Sequence, residues 1–433
     1  MSTGPVAPTP PAATASPLPP AARQSFDRMW ADLEPVGRNP ATGGYRRFAW
    51  SREDALLREW FAGEASARGL DLVEDRAGNQ WAWWGDPDAV RADGTSGGLA
   101  LGSHLDSVPD GGAFDGPLGV VSAFAVVDAL RSTGATPTLP VSVVCFGDEE
   151  GARFGIACAG SRILTGVLPA DRALGLHDAH GVTMAEALRA MGRDPDAVGT
   201  DPETLRRVRT FVELHVEQGR NLADPTAHDQ STSAVAVGSD IWPHGRWRLD
   251  VPGTANHAGT TALRDRDDAM LGYATMVLAA RRVASAGGCV TTMGKVLVEP
   301  NGVNAIASHV TGWLDVRGAD AAAVRAVVGD LSVEAAAHRA TLREESWTDP
   351  TPFDPALIER LSAAVGADTP VLGTGAGHDA GILATQGISS GMLFVRNPTG
   401  VSHSPLEHAE RDDCHAGVAA LARVAADLAG MSG

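Results

Sequence analysis

Five stretches of the chain end in residue types that hold metal ions: His104 with Asp106, Asp115, the adjacent pair Glu149 and Glu150, His215, and His403. Imidazole nitrogens combined with carboxylates suit zinc, manganese, cobalt or nickel, whereas calcium takes oxygen ligands only. A single histidine in a strand is more often a satisfied core or surface residue, and neighbouring carboxylates are usually a solvated edge. It is their joint appearance at strand ends and in Gly-rich turns that points to chemistry. A carboxylate shared by two ions about 3.5 to 4 Å apart builds the clamp of a dinuclear hydrolase. Asp115, in the tight turn Ala-Phe-Asp-Gly-Pro, is the candidate bridge. Asp106 follows His104 by two positions and so shares its strand face. There it either accepts the other imidazole N–H, fixing the tautomer, or is a simple turn residue. Glu149 and Glu150 cannot both point the same way at the end of an extended strand. One can ligate metal while the other faces the substrate as the base that takes a proton from water and returns it to the leaving nitrogen.

These residues need a sheet to hold them. Apolar, β-rich runs over 98–106 and 139–150 each end in the ionisable groups, as ligand sites do at the carboxyl ends of strands in open α/β sheets. Between them, 117–130 (PLGVVSAFAVVDAL) predicts a buried crossover helix with Pro in its first turn, and 211–219 reads as a third strand. After a connector at 239–245 the pattern changes. A strand at 246–251, a helix at 267–286, strands at 289–298 and 308–317, a helix at 321–344 and a short strand at 345–347 give the order βαββαβ of a ferredoxin-like domain. The stretch DPTPFDP (349–355) then returns the chain. The expected fold is α/β: a catalytic domain with a mixed central sheet flanked by helices, in two parts over 23–243 and 352–433, interrupted by an inserted α+β domain over 244–351. Residues 1–22, with seven prolines among Ala, Ser and Thr, read as a disordered tail.

Composition narrows the function classes. With 433 residues, 44% of them hydrophobic, the chain can bury the cores of two or three domains. Thirty-five basic against 53 acidic residues leave a net charge of −18, which repels phosphate backbones and excludes a general nucleic-acid binder. No apolar run approaches the ~18 residues of a membrane span, and no secretory signal opens the chain. Cys145, Cys158, Cys289 and Cys414 lie far apart with no Cys-x-x-Cys pair, which fits a reducing cytoplasm.

Seven motifs, in order, carry a resemblance: Gly-Ser-His-Leu-Asp-Ser (102–107), Phe-Asp-Gly-Pro-Leu-Gly (114–119), Asp-Glu-Glu-Gly-Ala-Arg-Phe (148–154), Glu-Leu-His-Val-Glu-Gln-Gly (213–219), Asn-His-Ala-Gly-Thr-Thr (256–261), Gly-Ala-Gly-His-Asp-Ala (375–380) and Ser-His-Ser-Pro-Leu-Glu (402–407). Together they resemble the N-carbamoyl-amino acid hydrolase, β-ureidopropionase and allantoate amidohydrolase group of dinuclear metallopeptidase-like amidohydrolases. The resemblance implies two divalent ions per subunit, zinc or manganese with cobalt or nickel possible. His104, Asp115 and His215 would surround one, and Asp115, Glu150 and His403 the other. It implies Glu149 as general base and acid. Gln218, His257, Asn304 and Arg317 would contact substrate, with Arg317 and Asn304 on its carboxylate and His257 at the scissile group. It further implies that the inserted domain is a lid and a homodimer interface, with the histidine supplied by the neighbouring subunit. His215 stands where related peptidases and aminoacylases place a carboxylate, which favours the ureido branch.

The expectation is a hydrolase of the C–N bond of a ureido acid, most simply an N-carbamoyl-L-amino acid. Allantoate or ureidoglycolate amidohydrolase and β-ureidopropionase are the alternatives; an aminoacylase, a dipeptidase or a silent scaffold fits less well. His378 and Asp379 read either as support for the site or as a buried hydrogen-bonded pair.

Overall fold

A computed structural model describes residues 18–91, 94–134, 136–226 and 233–431. Its strands are β1 (Asp71–Glu74), β2 (Gln80–Trp84), β3 (Gly98–His104), β4 (Val141–Phe146), β5 (Val208–Val216), β6 (Val235–Ile241), β7 (His244–Pro252), β8 (Val290–Glu299), β9 (His309–Arg317), β10 (Thr341–Thr348), β11 (Thr351–Pro352), β12 (Val371–Thr374) and β13 (Ser389–Val395). Nine of them form a mixed sheet in the order β1-β2-β4-β3-β5-β13-β6-β11, with β12 also on β6. Its centre is parallel: β4, β3, β5 and β13 run together, with His104 opposite Phe146 and His215 opposite Phe394. The carboxyl ends of β3, β4 and β5 therefore share one rim, where ligands bind in such sheets.

The helix Pro117–Ser132 is buried almost all round and crosses behind β3 and β5. Gly119 permits the contact, since a Cβ there would sit 2.5 Å from the Leu214 carbonyl and 2.6 Å from Ser103 Cβ. A first helix, Pro20–Leu33, buries Ala22, Phe26, Met29 and Leu33 in the same core. Each large apolar side chain buried this way contributes about 2 kcal/mol. This corrects the tail boundary expected at residue 22. Proline in the first turn needs no N–H donor, so Pro20 starts a helix instead of preventing one, and Leu18 is already buried. The rest of the expected tail, 1–17, lies outside the described residues.

The inserted segment forms its own four-stranded antiparallel sheet in the order β10-β7-β9-β8, with the helices Ala269–Ala286 and Ala321–Ala337. Val310, Leu314 and Val316 of β9 join Trp247, Tyr273 and Leu331 in a separate core. Thr311, Trp313, Asp315 and Arg317 alternate onto the opposite face. Two boundaries differ from expectation. The second helix ends at Ala337, not 344, because Arg339 turns left-handed (φ 57°) and Ala340 N–H returns to the Ala335 carbonyl. That is a helix stop usually signalled by glycine. The connector shrinks to Trp242 and Pro243, since β6 runs through Ile241. Among the described residues no helix is long and apolar enough to cross a membrane.

Candidate active site and metal centre

His104 closes β3 and His215 lies near the end of β5, both buried. His104 Nδ1 sits 3.1 Å from the Asp106 carbonyl and His215 Nδ1 2.8 Å from that of Val216. A carbonyl only accepts, so each Nδ1 carries the proton and each Nε2 presents its lone pair. Both Nε2 atoms are buried without a hydrogen-bond partner, and both face Asp115 Oδ1, at 3.5 and 3.1 Å. The other carboxylate oxygen, Oδ2, lies 3.5 Å from His403 Nε2, which is itself 3.5 Å from Glu150 Oε2. Two ligand sets that could each hold a cation, His104–Asp115–His215 and Asp115–Glu150–His403, thus share one carboxylate. Orphaned, lone-pair-bearing imidazoles beside carboxylates are a donor set that fits a divalent metal.

Asp115 is held from several sides. Gly116 (φ 86°) lets the turn lie directly on His104, whose Cε1 would be 2.4 Å from a Cβ there. Glu407 accepts the backbone N–H of Phe114 (2.8 Å) and Asp115 (3.0 Å). Gln218 Nε2 donates to Asp115 Oδ2 at 2.8 Å, and Ser402 Oγ donates to the same oxygen at 3.2 Å. Glu407 and Ser402 belong to a quoted motif, yet nothing local in the sequence shows that they reach a turn almost 300 positions earlier.

Asp106 works differently from the expected imidazole acceptor. The nearest acceptor to His104 Nδ1 is the Asp106 carbonyl; the carboxylate is 3.5 Å away. Its oxygens instead accept the backbone N–H groups of Glu149 (3.1 Å) and Glu150 (3.0 Å). The two glutamates lie in the turn after β4, where Asp148 is left-handed (φ 54°). Glu149 reaches within 3.7 Å of His104 Nε2, and Glu150 approaches His403. Cys158 Sγ donates to Glu149 Oε1 at 3.3 Å.

The electrostatics reflect crowding. Burial pushes the Glu149 carboxyl well above its usual range, and burial with the Asp115 charge raises Glu150 to about 7. The Asp115 hydrogen bond, helped by Glu150, lifts His403 to about 9. Burial works against the charge on Asp115, but His215, His104 and His403 hold it well below the ordinary value. A divalent cation relieves such carboxylate crowding.

A cleft of about 810 Å³ opens beside His403, Ser402 and Gln218 and is walled by the inserted sheet, including Arg317, Asp315, Trp313, Lys295 and Arg246. Arg317 Nε donates to Asp315 Oδ1 at 2.7 Å and one terminal nitrogen donates to the Gly375 carbonyl at 2.7 Å. His257 and Asn304 do not line the cleft. They are exposed in two loops joined by Ala258 N–H on the Asn304 carbonyl (2.9 Å), beyond the β7 and β9 ends where Pro252 pairs with His309. His378 is buried with its ring 4.5 Å from that of His215, and neither nitrogen has a partner. Asp379 accepts Ser161 Oγ instead, so the two are not a hydrogen-bonded pair.

Residues 100–427 match the peptidase family M20/M25/M40. The chain belongs to this family. It is a hydrolase of the family, and the resemblance seen in the motifs is borne out by the relatives. The chain is 35% identical over 416 residues to the N-carbamoyl-L-amino acid amidohydrolase of Geobacillus stearothermophilus, covering 91% of this chain and 96% of the relative. It is 30% identical over 426 residues to the allantoate amidohydrolase of Escherichia coli K12, covering 94% and 98%. The crystal structure of a hydantoinase/carbamoylase family amidase from Burkholderia ambifaria superposes with a TM-score of 0.80 at 30% identity, over 96% of this chain and 100% of that one.

Proposed function

We propose that this M20-family hydrolase cleaves the C–N bond of a ureido acid, most simply an N-carbamoyl-L-amino acid, releasing the amino acid, ammonia and carbon dioxide. The observation that carries the reading is the pair of ligand sets sharing Asp115, beside Glu149 and in one cleft with Arg317. His104, Asp115 and His215 would hold one divalent ion and Asp115, Glu150 and His403 a second; zinc or manganese suits these donors, and cobalt or nickel is compatible. When bound, such ions would supply Lewis acidity to polarise the carbamoyl carbonyl and acidify water.

The chain's own groups do the rest. Glu149, desolvated and aimed at the centre, takes the proton of the attacking water and delivers it to the leaving nitrogen. Gln218 and Ser402 keep Asp115 oriented between the two ligand sets. Arg317, held in plane by Asp315, grips the substrate carboxylate with its guanidinium fork.

His257 and Asn304 complete the site from a second copy, as the partner subunit's His257 and the partner subunit's Asn304. Two features support a homodimer through the inserted lid. β8 is an edge strand, an open template for association. The helix Ala269–Ala286 exposes the stripe Met270, Leu271, Val277 and Leu278. The four cysteines are all free, which supports a reducing, cytoplasmic setting.

The test is ammonia release by metal-reconstituted protein from N-carbamoyl-L-amino acids, β-ureidopropionate, allantoate, ureidoglycolate and an N-acetyl amino acid, with Glu149→Gln alongside. The variant keeps its metal and loses about 100-fold or more in kcat. Normal kcat in that variant, or activity on the acetyl compound alone, overturns the reading.

A further inference from the structure

Lys295 is the only lysine in the 433-residue chain, and it stands on the lid wall of the cleft that holds His403 and Gln218. Its Nζ lies 4.3 Å from the centre of the Trp313 ring, its cross-strand neighbour on β9. Among the described residues no carboxylate pairs with it. The nearby acids are engaged elsewhere: Asp315 holds Arg317 and Arg246, and Glu345 accepts the Trp313 indole N–H at 3.0 Å and faces Arg343. On the catalytic side, Glu217 is buried and accepts the Asn221 and Leu222 backbone N–H groups.

The lid wall therefore presents three cations, Arg246, Lys295 and Arg317, against one carboxylate, Asp315, in a protein of net charge −18. Arg317 uses its Nε and both terminal nitrogens on Asp315 and Gly375. Arg246 uses only Nε, in a long 3.4 Å contact, and is 63% exposed. Arg317 keeps one further N–H on each terminal nitrogen, and the rest of the free donors belong to Arg246 and Lys295. Because Arg317 takes both oxygens of Asp315 and Arg246 shares Oδ2, the two guanidiniums are close together, at a spacing of the kind spanned by the α- and side-chain carboxylates of one amino acid. An aromatic side chain is disfavoured here, since the Trp313 ring is capped by Lys295 and its edge is tied to Glu345.

We infer that Arg246 and Lys295 form a second anion subsite, and that the substrate is a dicarboxylic ureido acid whose side-chain carboxylate they receive while Arg317 holds the first. The inference rests on the ureido-acid reading above and names the substrate class of that same site. Neither residue touches the metal-ligand sets, so their replacement leaves that chemistry in place.

The experiment compares N-carbamoyl-L-aspartate and N-carbamoyl-L-glutamate with N-carbamoyl-L-alanine, using metal-loaded wild type, Lys295→Met and Arg246→Gln. Wild type prefers a dicarboxylate, and each variant raises its KM about tenfold or more while the alanine compound changes less than about twofold, because a site built for a polar group rejects the ligand lacking it. Equal KM changes for all three compounds, or a wild-type preference for the alanine compound, overturn the inference while leaving ureido hydrolysis standing. Absence of any ureido hydrolysis overturns the functional reading instead. Calorimetric binding of N-carbamoyl-L-glutamate to metal-loaded Glu149→Gln, with and without Lys295→Met, then decides the subsite without appreciable turnover: weaker binding to the double variant supports it and equal binding removes it. Amine labelling gives a direct readout when the Lys295 peptide is followed by mass spectrometry, since Lys295 is the one lysine trinitrobenzenesulfonate can modify in this sequence. The dicarboxylate slows labelling at Lys295; an unchanged rate counts against the subsite.

Discussion

His257 and Arg317 stand at opposite ends of one sheet: Arg317 pairs with His244 at the end where the inserted sheet joins the nine-stranded one, while the His257 loop begins past the far end, where His309 pairs with Pro252. Eight residue steps of β9 at about 3.3 Å separate these ends by roughly 26 Å. Within one copy the two residues thus stand far apart along the sheet. In the proposed homodimer, co-expression of Glu149→Gln with His257→Ala, each inactive alone, is therefore expected to restore about a quarter of wild-type activity, since mixed two-fold dimers would hold one intact site each. Mixtures as inactive as their parents would place His257 outside the reaction.

Asp106 binds the two amides that follow Asp148 and so sets where both glutamates point. Asp106→Ala leaves those N–H groups without their acceptor. Supporting groups of this kind typically carry about 10- to 100-fold in metal affinity or activity. The expected result is a kcat loss in that range with metal content reduced at the Glu150 side, measured by steady-state kinetics and metal analysis. Unchanged values would make Asp106 a plain turn residue.

Removal of metal with a chelator is expected to abolish turnover and lower Tm without unfolding the chain. The proposed ligands sit on the rim of a sheet whose two hydrophobic clusters lie on its faces, so the core survives, while bound ions would add their binding free energy to the folded state only. Differential scanning calorimetry of depleted and Zn²⁺- or Mn²⁺-restored protein checks this. Equal Tm with and without metal would contradict it.

Arg68 ties three helices together, at 2.6 Å from Glu64, 2.6 Å from Asp128 and 2.9 Å from Ser25. Arg68→Met leaves two acids short of a partner and is expected to cost about 3 kcal/mol in chemical denaturation. Burial opposes the Glu64 charge, but Arg28 and Arg68 hold its carboxyl below the usual 4.5. A lowered folded value means the stabilisation is complete above the unfolded value and is lost as pH falls through the folded one. Acid sensitivity below about pH 4.5 is expected to weaken in the variant. An unaltered acid limb would show that the pairing contributes little.

Residue types and local periodicity make much of this protein legible in its sequence alone. The β-rich runs ending in His104 and His215, the apolar helix after Asp115 and the βαββαβ order are local patterns, and they reappear as β3, β5, Pro117–Ser132 and the lid sheet. The ligand types were readable for the same reason, since imidazoles and carboxylates at strand ends carry their chemistry with them. What the local text could not supply were contacts between distant segments and backbone turns made without glycine. The Arg339 helix stop, the left-handed Asp148 that directs both glutamates, and the Glu407 grip on the Asp115 turn depend on the packed chain. Only the tertiary structure put Arg317 and Lys295 in one cleft and sent His257 to the far end of the sheet, because side-chain identity travels with the sequence whereas distance is decided by how strands pair.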